Sequence, residues 1–177
     1  DFNAPLDSLN GLVAMPNGMM AAFSGKDVYF SEPWQPHAWP QKYSLTCDFD
    51  IVALGVYGSV LVIATKGMPY IAVGTSPDSM AMQRIETNLP CLSARSMVDL
   101  GYAVAYAGSD GLVVVSNGVA RVVTDQLFTK NQWLRTNPQN LIGSQHNGRY
   151  VGSYRYQDDE STLQEGTFLI DLTGAYP

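Results

Sequence analysis

Apolar residues in this chain come in short runs split by turn formers, and one stretch states the plan most fully. Residues 51–73, IVALGVYGSVLVIATKGMPYIAV, read as an apolar strand, a tight turn at Tyr57-Gly58, a second apolar strand, a break at Lys66-Gly67 and a third strand. The same plan recurs in MPNGMMAAFSGKDVYFSE before it, in VDLGYAVAYAGSDGLVVVSNG after it, and in QHNGRYVGSYRY with GTFLIDL near the end. The turn glycines Gly18, Gly58, Gly101 and Gly148 are spaced at roughly 40–47 residues. Short strands repeated at about that period are the mark of β-propeller blades. The expected fold is all-β: a propeller-like array of about four antiparallel blades, whole or as a fragment of a larger propeller, with one short helix. The repeats fall at about 11–40, 49–90, 91–136 and 137–177, within a single domain.

Taken in order, strands are predicted at 12–15, 19–24 and 27–31. Asn17-Gly18 suits a type I′ hairpin turn, which needs positive φ at both central positions, and Gly25-Lys26 supplies the next turn. Residues 32–43 break the pattern, because Pro33, Pro36 and Pro40 cannot donate to a strand ladder. Trp34, His37 and Trp39 lie among these prolines. Two readings fit: a pre-shaped recognition surface for a partner or a sugar, or a blade-to-blade crossover with tryptophan rings packed beneath it. Residues 81–86 read as an outer strand, with a short helical turn at 79–82 as the alternative. The third repeat is the cleanest copy, with strands at 93–100, 102–108, 112–116 and 120–125. Its alternation puts Tyr102, Val104 and Tyr106 on one face and small alanines on the other, which lets sheets approach closely. Residues 126–134 form the helical candidate, capped by Thr124 or Asp125 and ended by Asn137-Pro138. The fourth repeat offers strands at 141–145, 149–156 and 167–172, an insertion at 157–166, and no outer strand.

Composition narrows the function classes. Charged residues make up 15% of the chain and the net charge is −6, with no concentration of Lys or Arg. The electrostatic footprint of a nucleic-acid binder is therefore missing. Lys66, Pro69 and four glycines interrupt the apolar run at 51–74, so two buried strands are predicted there rather than a membrane span. The chain opens on Asp1 with no signal-peptide pattern, which suits a processed product or a fragment. Cys47 and Cys91 sit about one repeat apart and read as two free, buried thiols, with a disulfide as the alternative.

Catalytic and ligand-binding signatures are sparse. Asp48 and Asp50 would share one strand face, but no third acid or positioned base accompanies them. His37 and His146 could each serve as a base, yet no nucleophile elbow marks a hydrolase. No zinc spacing, P-loop, dinucleotide fingerprint or calcium loop occurs, and the run Asp158-Asp159-Glu160 reads as a solvated hairpin tip. The expectation is a non-enzymatic protein without cofactor or metal, with Trp34, His37 and Trp39 as candidate partner-contact residues. Strand tyrosines are expected to pack between blades or to supply contact area.

The run FSGKDVYFSEPWQPHAWP, then DFDIVALGVYGSVLVIATKGMPYIAVG, CLSARSMVDLGYAVAYAGSDGLVVV and RVVTDQLFTKNQW, resembles virion structural proteins of tailed bacteriophages. Within that group it is most similar to the propeller-bearing tail tube or nozzle components of short-tailed phages. The resemblance spans about residues 18–156, and the SEP…P segment after the VYF strand is its most distinctive part. It implies a virion location, other virion proteins as partners, a homo-oligomer around a channel, and DNA passing without specific binding. Nozzle proteins of this kind are much longer, so the resemblance also implies an excised or trimmed propeller domain. A carbohydrate-binding propeller stacking sugars on the same tryptophans is the first alternative, and a hydrolase the second.

Overall fold

The alternating runs form four antiparallel sheets, each built from strands consecutive in the chain. The computed structural model describes residues 3–158 and 160–173. The expectations placed on Asp159 and on residues 174–177 lie outside the described residues. Blade 1 holds β1 (Asn10–Ala14), β2 (Met20–Ser24), β3 (Asp27–Phe30) and β4 (Ser44–Thr46). Blade 2 holds β5 (Ile51–Tyr57), β6 (Val60–Thr65), β7 (Tyr70–Val73) and β8 (Ala81–Arg84). Blade 3 holds β9 (Val98–Asp99), β10 (Val104–Ala107), β11 (Leu112–Ser116) and β12 (Val119–Val122). Blade 4 holds β13 (Ile142–His146), β14 (Arg149–Gln157) and β15 (Leu163–Ile170). The first strands form an arc, β5 lying between β1 and β9, and β9 beside β13.

Three apolar cores sit between the blades rather than inside any one of them. Phe23, Val28 and Phe30 of blade 1 meet Leu54, Leu61 and Ile63 of blade 2. The opposite face of blade 2, with Val62 and Ala64, packs on Val104, Tyr106, Val113 and Val115 of blade 3. The other face of blade 3, with Ala103, Ala105, Ala107, Leu112 and Val114, packs on Trp133, Leu141, Tyr150 and Ile170. Successive strand residues point to opposite faces, so a blade with two cores needs apolar side chains at every position. That is why VLVIAT and LVVVS are unbroken apolar runs. The expected face of Val104 and Tyr106 against small alanines is present, but Tyr102 precedes the strand and is exposed.

Turn chemistry differs from expectation at two places: Tyr57 still pairs with Val60, so the β5–β6 turn is Gly58-Ser59 and not Tyr57-Gly58, and the loop at Asn17-Gly18 is not a type I′ turn. Asn117-Gly118 and Asn147-Gly148 both have positive φ at each residue, 50° and 74° in each pair, as a type I′ hairpin requires. Asn17 does not. Pro16 has no N–H to close a two-residue hairpin, so the loop widens to Pro16-Asn17-Gly18. The Met15 N–H then donates to the Met19 carbonyl at 2.8 Å and the Gly18 N–H to the Met15 carbonyl at 3.2 Å.

Other boundaries moved for local reasons. The first sheet takes in β4, beyond the expected repeat end at residue 40, so the proline-rich segment joins two strands of one blade and is not a crossover. The helix, α1 (Lys130–Arg135), starts later than residue 126 and is capped by Thr129. Thr129 and Gln132 form a capping box: Gln132 N–H donates to Thr129 Oγ1, and Thr129 N–H donates to Gln132 Oε1. Thr124, one of the expected caps, instead accepts from the Leu112 N–H at 3.0 Å. The expected insertion at 157–166 is strand at both ends, since β14 and β15 stay paired as far as Gln157 and Leu163. A 3-10 turn, Pro77–Ser79, precedes β8.

Candidate interaction surface at the proline-tryptophan loop

After β3, the chain is pinned at Ser31, whose N–H donates to the Met20 carbonyl and whose Oγ accepts from the Met20 N–H, both at 2.9 Å. A tight turn follows, closed by the Gln35 N–H on the Glu32 carbonyl at 3.1 Å. Pro33 fits its second position, where φ is fixed near the required value. Trp34 occupies the third with φ 60°, a left-handed conformation that ordinarily falls to Gly or Asn. The Trp34 N–H donates to the Gly18 carbonyl at 2.8 Å, and its indole lies over Gly18, where a Cβ would collide with the ring. Trp34 is nevertheless 80% exposed. A bulky side chain held in a costly backbone state and turned to solvent marks a place where the fold maintains a feature it does not need for its own core.

The three candidate contact residues separate here. Trp34 and His37 are exposed on the loop. Trp39 is only 5% exposed; its Nε1–H donates to the Pro36 carbonyl and its N–H to the Asn3 carbonyl, both at 2.8 Å. Trp39 therefore holds the loop down from inside, whereas Trp34 and His37 are the candidates that stand exposed. Gly18, read in the sequence only as a turn former, is the seat of Trp34. A small recess of about 130 Å³ beside that turn is lined by Met15, Pro16, Asn17, Ser59, Gly74 and Thr75. Asn17 Nδ2 donates to the Thr75 carbonyl at 3.1 Å, so the surface continues from blade 1 onto blade 2.

These roles predict opposite outcomes. Trp39→Ala should lose about 3–5 kcal/mol through an unfilled cavity and the lost Nε1–H bond to the Pro36 carbonyl. Trp34→Gly should leave stability unchanged or raise it by up to about 1–2 kcal/mol, since the left-handed backbone is relieved. Urea denaturation of both variants checks this; equal losses at the two sites would contradict the division.

The other candidate chemistry is accounted for by structural pairing. Tyr70 OH donates to Asp48 Oδ2 at 2.8 Å and Arg84 Nη1 approaches the same oxygen at 2.7 Å. Tyr70 first, then Arg84, hold the Asp48 carboxyl below its ordinary range. Asp50 pairs instead with Lys66 at 3.2 Å, so the two acids serve different partners. Asp158 gathers the hairpin tip, accepting from the Glu160 and Thr162 N–H groups and from Gln164 Nε2. His146, in blade 4, lies 3.3 Å from the Asn147 amide, while His37 belongs to blade 1. Cys47 and Cys91 are free and buried, and burial pushes both thiols up to about 12, far from a reactive thiolate. Among the described residues, no group of three or more His, Cys, Asp or Glu could hold a metal ion. Among them too, no helix is long and apolar enough to cross a membrane.

No protein-family model matches this sequence, and no curated protein matches it. Solved structures do. A chain of the S. cerevisiae Dbp5 assembly with Nup159, Gle1, IP6 and ADP is 11% identical, with a TM-score of 0.54 over 97% of this chain and 43% of that one. The N-terminal domain of Nup159 is 12% identical, with a TM-score of 0.50 over 96% of this chain and 46% of that one. The AfRom2 CNH domain is 11% identical, with a TM-score of 0.52 over 96% of this chain and 55% of that one. The chain thus spans about half the length of each. At such identities the likeness is one of fold alone: this is a β-propeller array of four blades.

Proposed function

We propose that this protein is a non-enzymatic structural component of a tailed-bacteriophage virion, part of the tail tube or nozzle, acting through contacts with neighbouring virion proteins. The observation that carries the reading is Trp34, 80% exposed at φ 60° on a loop that its own blade clamps in place. Aromatic side chains anchored on rigid loops are what protein interfaces bury at their centres. The family resemblance supplies the setting, and its most distinctive segment is the one that carries Trp34. A net charge of −6 suits a wall past which DNA slides without sticking.

The test is made on particles. Mass spectrometry of purified virions should find the chain at a fixed copy number. Phage carrying Trp34→Ala should incorporate it several-fold less, although the isolated variant melts like the parent. Absence of the chain from virions, or full incorporation of the variant, would overturn the assignment. The exposed indole also favours one second reading, a stacking platform for sugars. Specific signal on a glycan array that disappears with Trp34→Ala would replace the virion reading by that one.

A further inference from the structure

We propose that the cleft between α1 and the tip of the β14–β15 hairpin binds a neutral saccharide, its ring face laid on Tyr156. The inference goes beyond the virion reading and does not rest on Trp34, which stands on another blade. The cleft is open and measures about 650 Å³, within the ~300–1,000 Å³ of small-ligand sites.

The fold holds both walls in place. Asn137 follows the helix at φ 50°, a state that Gly and Asn adopt at helix ends, and its N–H donates to the Leu134 carbonyl at 3.1 Å. Its Nδ2 donates to the Arg155 carbonyl at 3.3 Å, which ties the end of α1 to β14. Across the cleft, Asp158 closes the hairpin tip. Besides the three donors that its carboxylate collects, its N–H donates to the Thr162 carbonyl at 3.0 Å. Tyr156 shares the β14 face of Tyr150 and Tyr154. Its ring stacks on Tyr154 at 6.3 Å and 26°, and Tyr154 stacks on Phe168 at 6.4 Å and 27°. Phe168 in turn meets the buried Trp133 at 6.3 Å. Tyr156 is thus the outer rung of a ladder founded in the core, and a ligand meets a ring already in position.

What these walls leave unused decides the ligand class. Among the described residues, the side chains of Asn131, Arg135 and Gln157 and the Tyr156 hydroxyl meet no hydrogen-bond or ion-pair partner. A carboxamide carries a donor and an acceptor together, as each sugar hydroxyl does, so Asn131 and Gln157 suit neighbouring hydroxyls. A pyranose ring offers weakly positive C–H groups to the negative face of an aromatic ring. Leu134, half exposed beside Arg135, adds apolar contact. An anion fits poorly: Asp158 offsets Arg135 on these walls, and Glu160 stands exposed two residues beyond. A purely apolar ligand would cover the unpaired polar groups without satisfying them.

The test is a titration of the 177-residue chain with neutral trisaccharides of glucose, galactose, mannose or N-acetylglucosamine, followed by tyrosine-ring proton NMR. Sialyllactose and a glucuronate trisaccharide serve as the charged comparison, and Tyr156→Phe assigns the ring signals. At least one neutral trisaccharide should bind and shift the Tyr156 signals. Tyr156→Ala and Asn131→Ala should each weaken binding about 10-fold or more, the size of one lost contact. Trp34→Ala should leave it unchanged. Arg135→Ala, at an exposed and unpaired side chain, should also weaken binding while melting like the parent, so the proposal stays testable if Tyr156→Ala does not fold. Absence of binding across the panel, a preference for the charged sugars, or binding indifferent to Asn131 and Arg135 would sink it. So would binding that disappears with Trp34→Ala. The virion reading stands or falls separately, since it turns on Trp34 and on the content of particles.

Discussion

Trp133→Ala is expected to cost about 3–5 kcal/mol of stability, the range for emptying a large buried aromatic site. Trp133 is 0% exposed, and the helix carrying it is short, so its position depends on the Thr129–Gln132 capping box and not on helix length. Its ring lies 6.3 Å from both Phe128 and Phe168, and its Nε1–H donates to the Gly108 carbonyl at 2.9 Å. That hydrogen bond ties the connection after blade 3 to the turn between β10 and β11. Trp133→Phe separates the two contributions. It keeps most of the apolar filling but strands the buried Gly108 carbonyl, at about 1–3 kcal/mol. Chemical denaturation of both variants should therefore give two well-spaced losses. A Trp133→Ala protein within about 1 kcal/mol of the parent would mean that the blade 3–blade 4 junction is not where this chain keeps its stability.

Gly143→Ala should destabilise by about 2–4 kcal/mol, although Gly143 lies on a strand where alanine is usually harmless. A Cβ there would stand 2.5 Å from the Tyr150 hydroxyl and 2.7 Å from the Ser96 carbonyl oxygen. Those two atoms are already hydrogen-bonded to each other at 2.8 Å, Tyr150 OH donating. The new methyl group must therefore break a buried bond as well as find room. Tyr150→Phe removes the hydroxyl and opens that room, so the two substitutions should be strongly non-additive, the double variant costing less than the sum of the singles. Additive losses would show that the close approach at Gly143 is set elsewhere.

The blade plan was legible because two-sided burial writes itself into sequence as unbroken apolar strands between turn glycines, as in β6 and β11. Its first boundary was not legible. β4 is only Ser44–Thr46, a half-exposed edge strand with no apolar signature, and it follows three prolines that read as the end of a blade. The turn at Asn17-Gly18 departs from its dipeptide signal because the decisive residue is the one before it: Pro16 withdraws the N–H that a tighter hairpin would use. The true start of the helix is written in the sequence as Thr129-x-x-Gln132, a capping-box spacing that competes with the more acidic Thr124-Asp125 upstream. At the candidate site, sequence could mark Trp34 and Trp39 as alike. Only the turn, which throws one ring outward over Gly18 and folds the other under Pro36, tells them apart.

The serial placement of the cores has a consequence for how the molecule yields to stress. Each core is shared by sequence neighbours only, so blade 4 can peel away while the two remaining seams stay shut, and blade 1 likewise. The centre, blades 2 and 3, is gripped from both sides and lets go last. Force or heat would then undo this protein from its ends inward, leaf by leaf, rather than in one stroke.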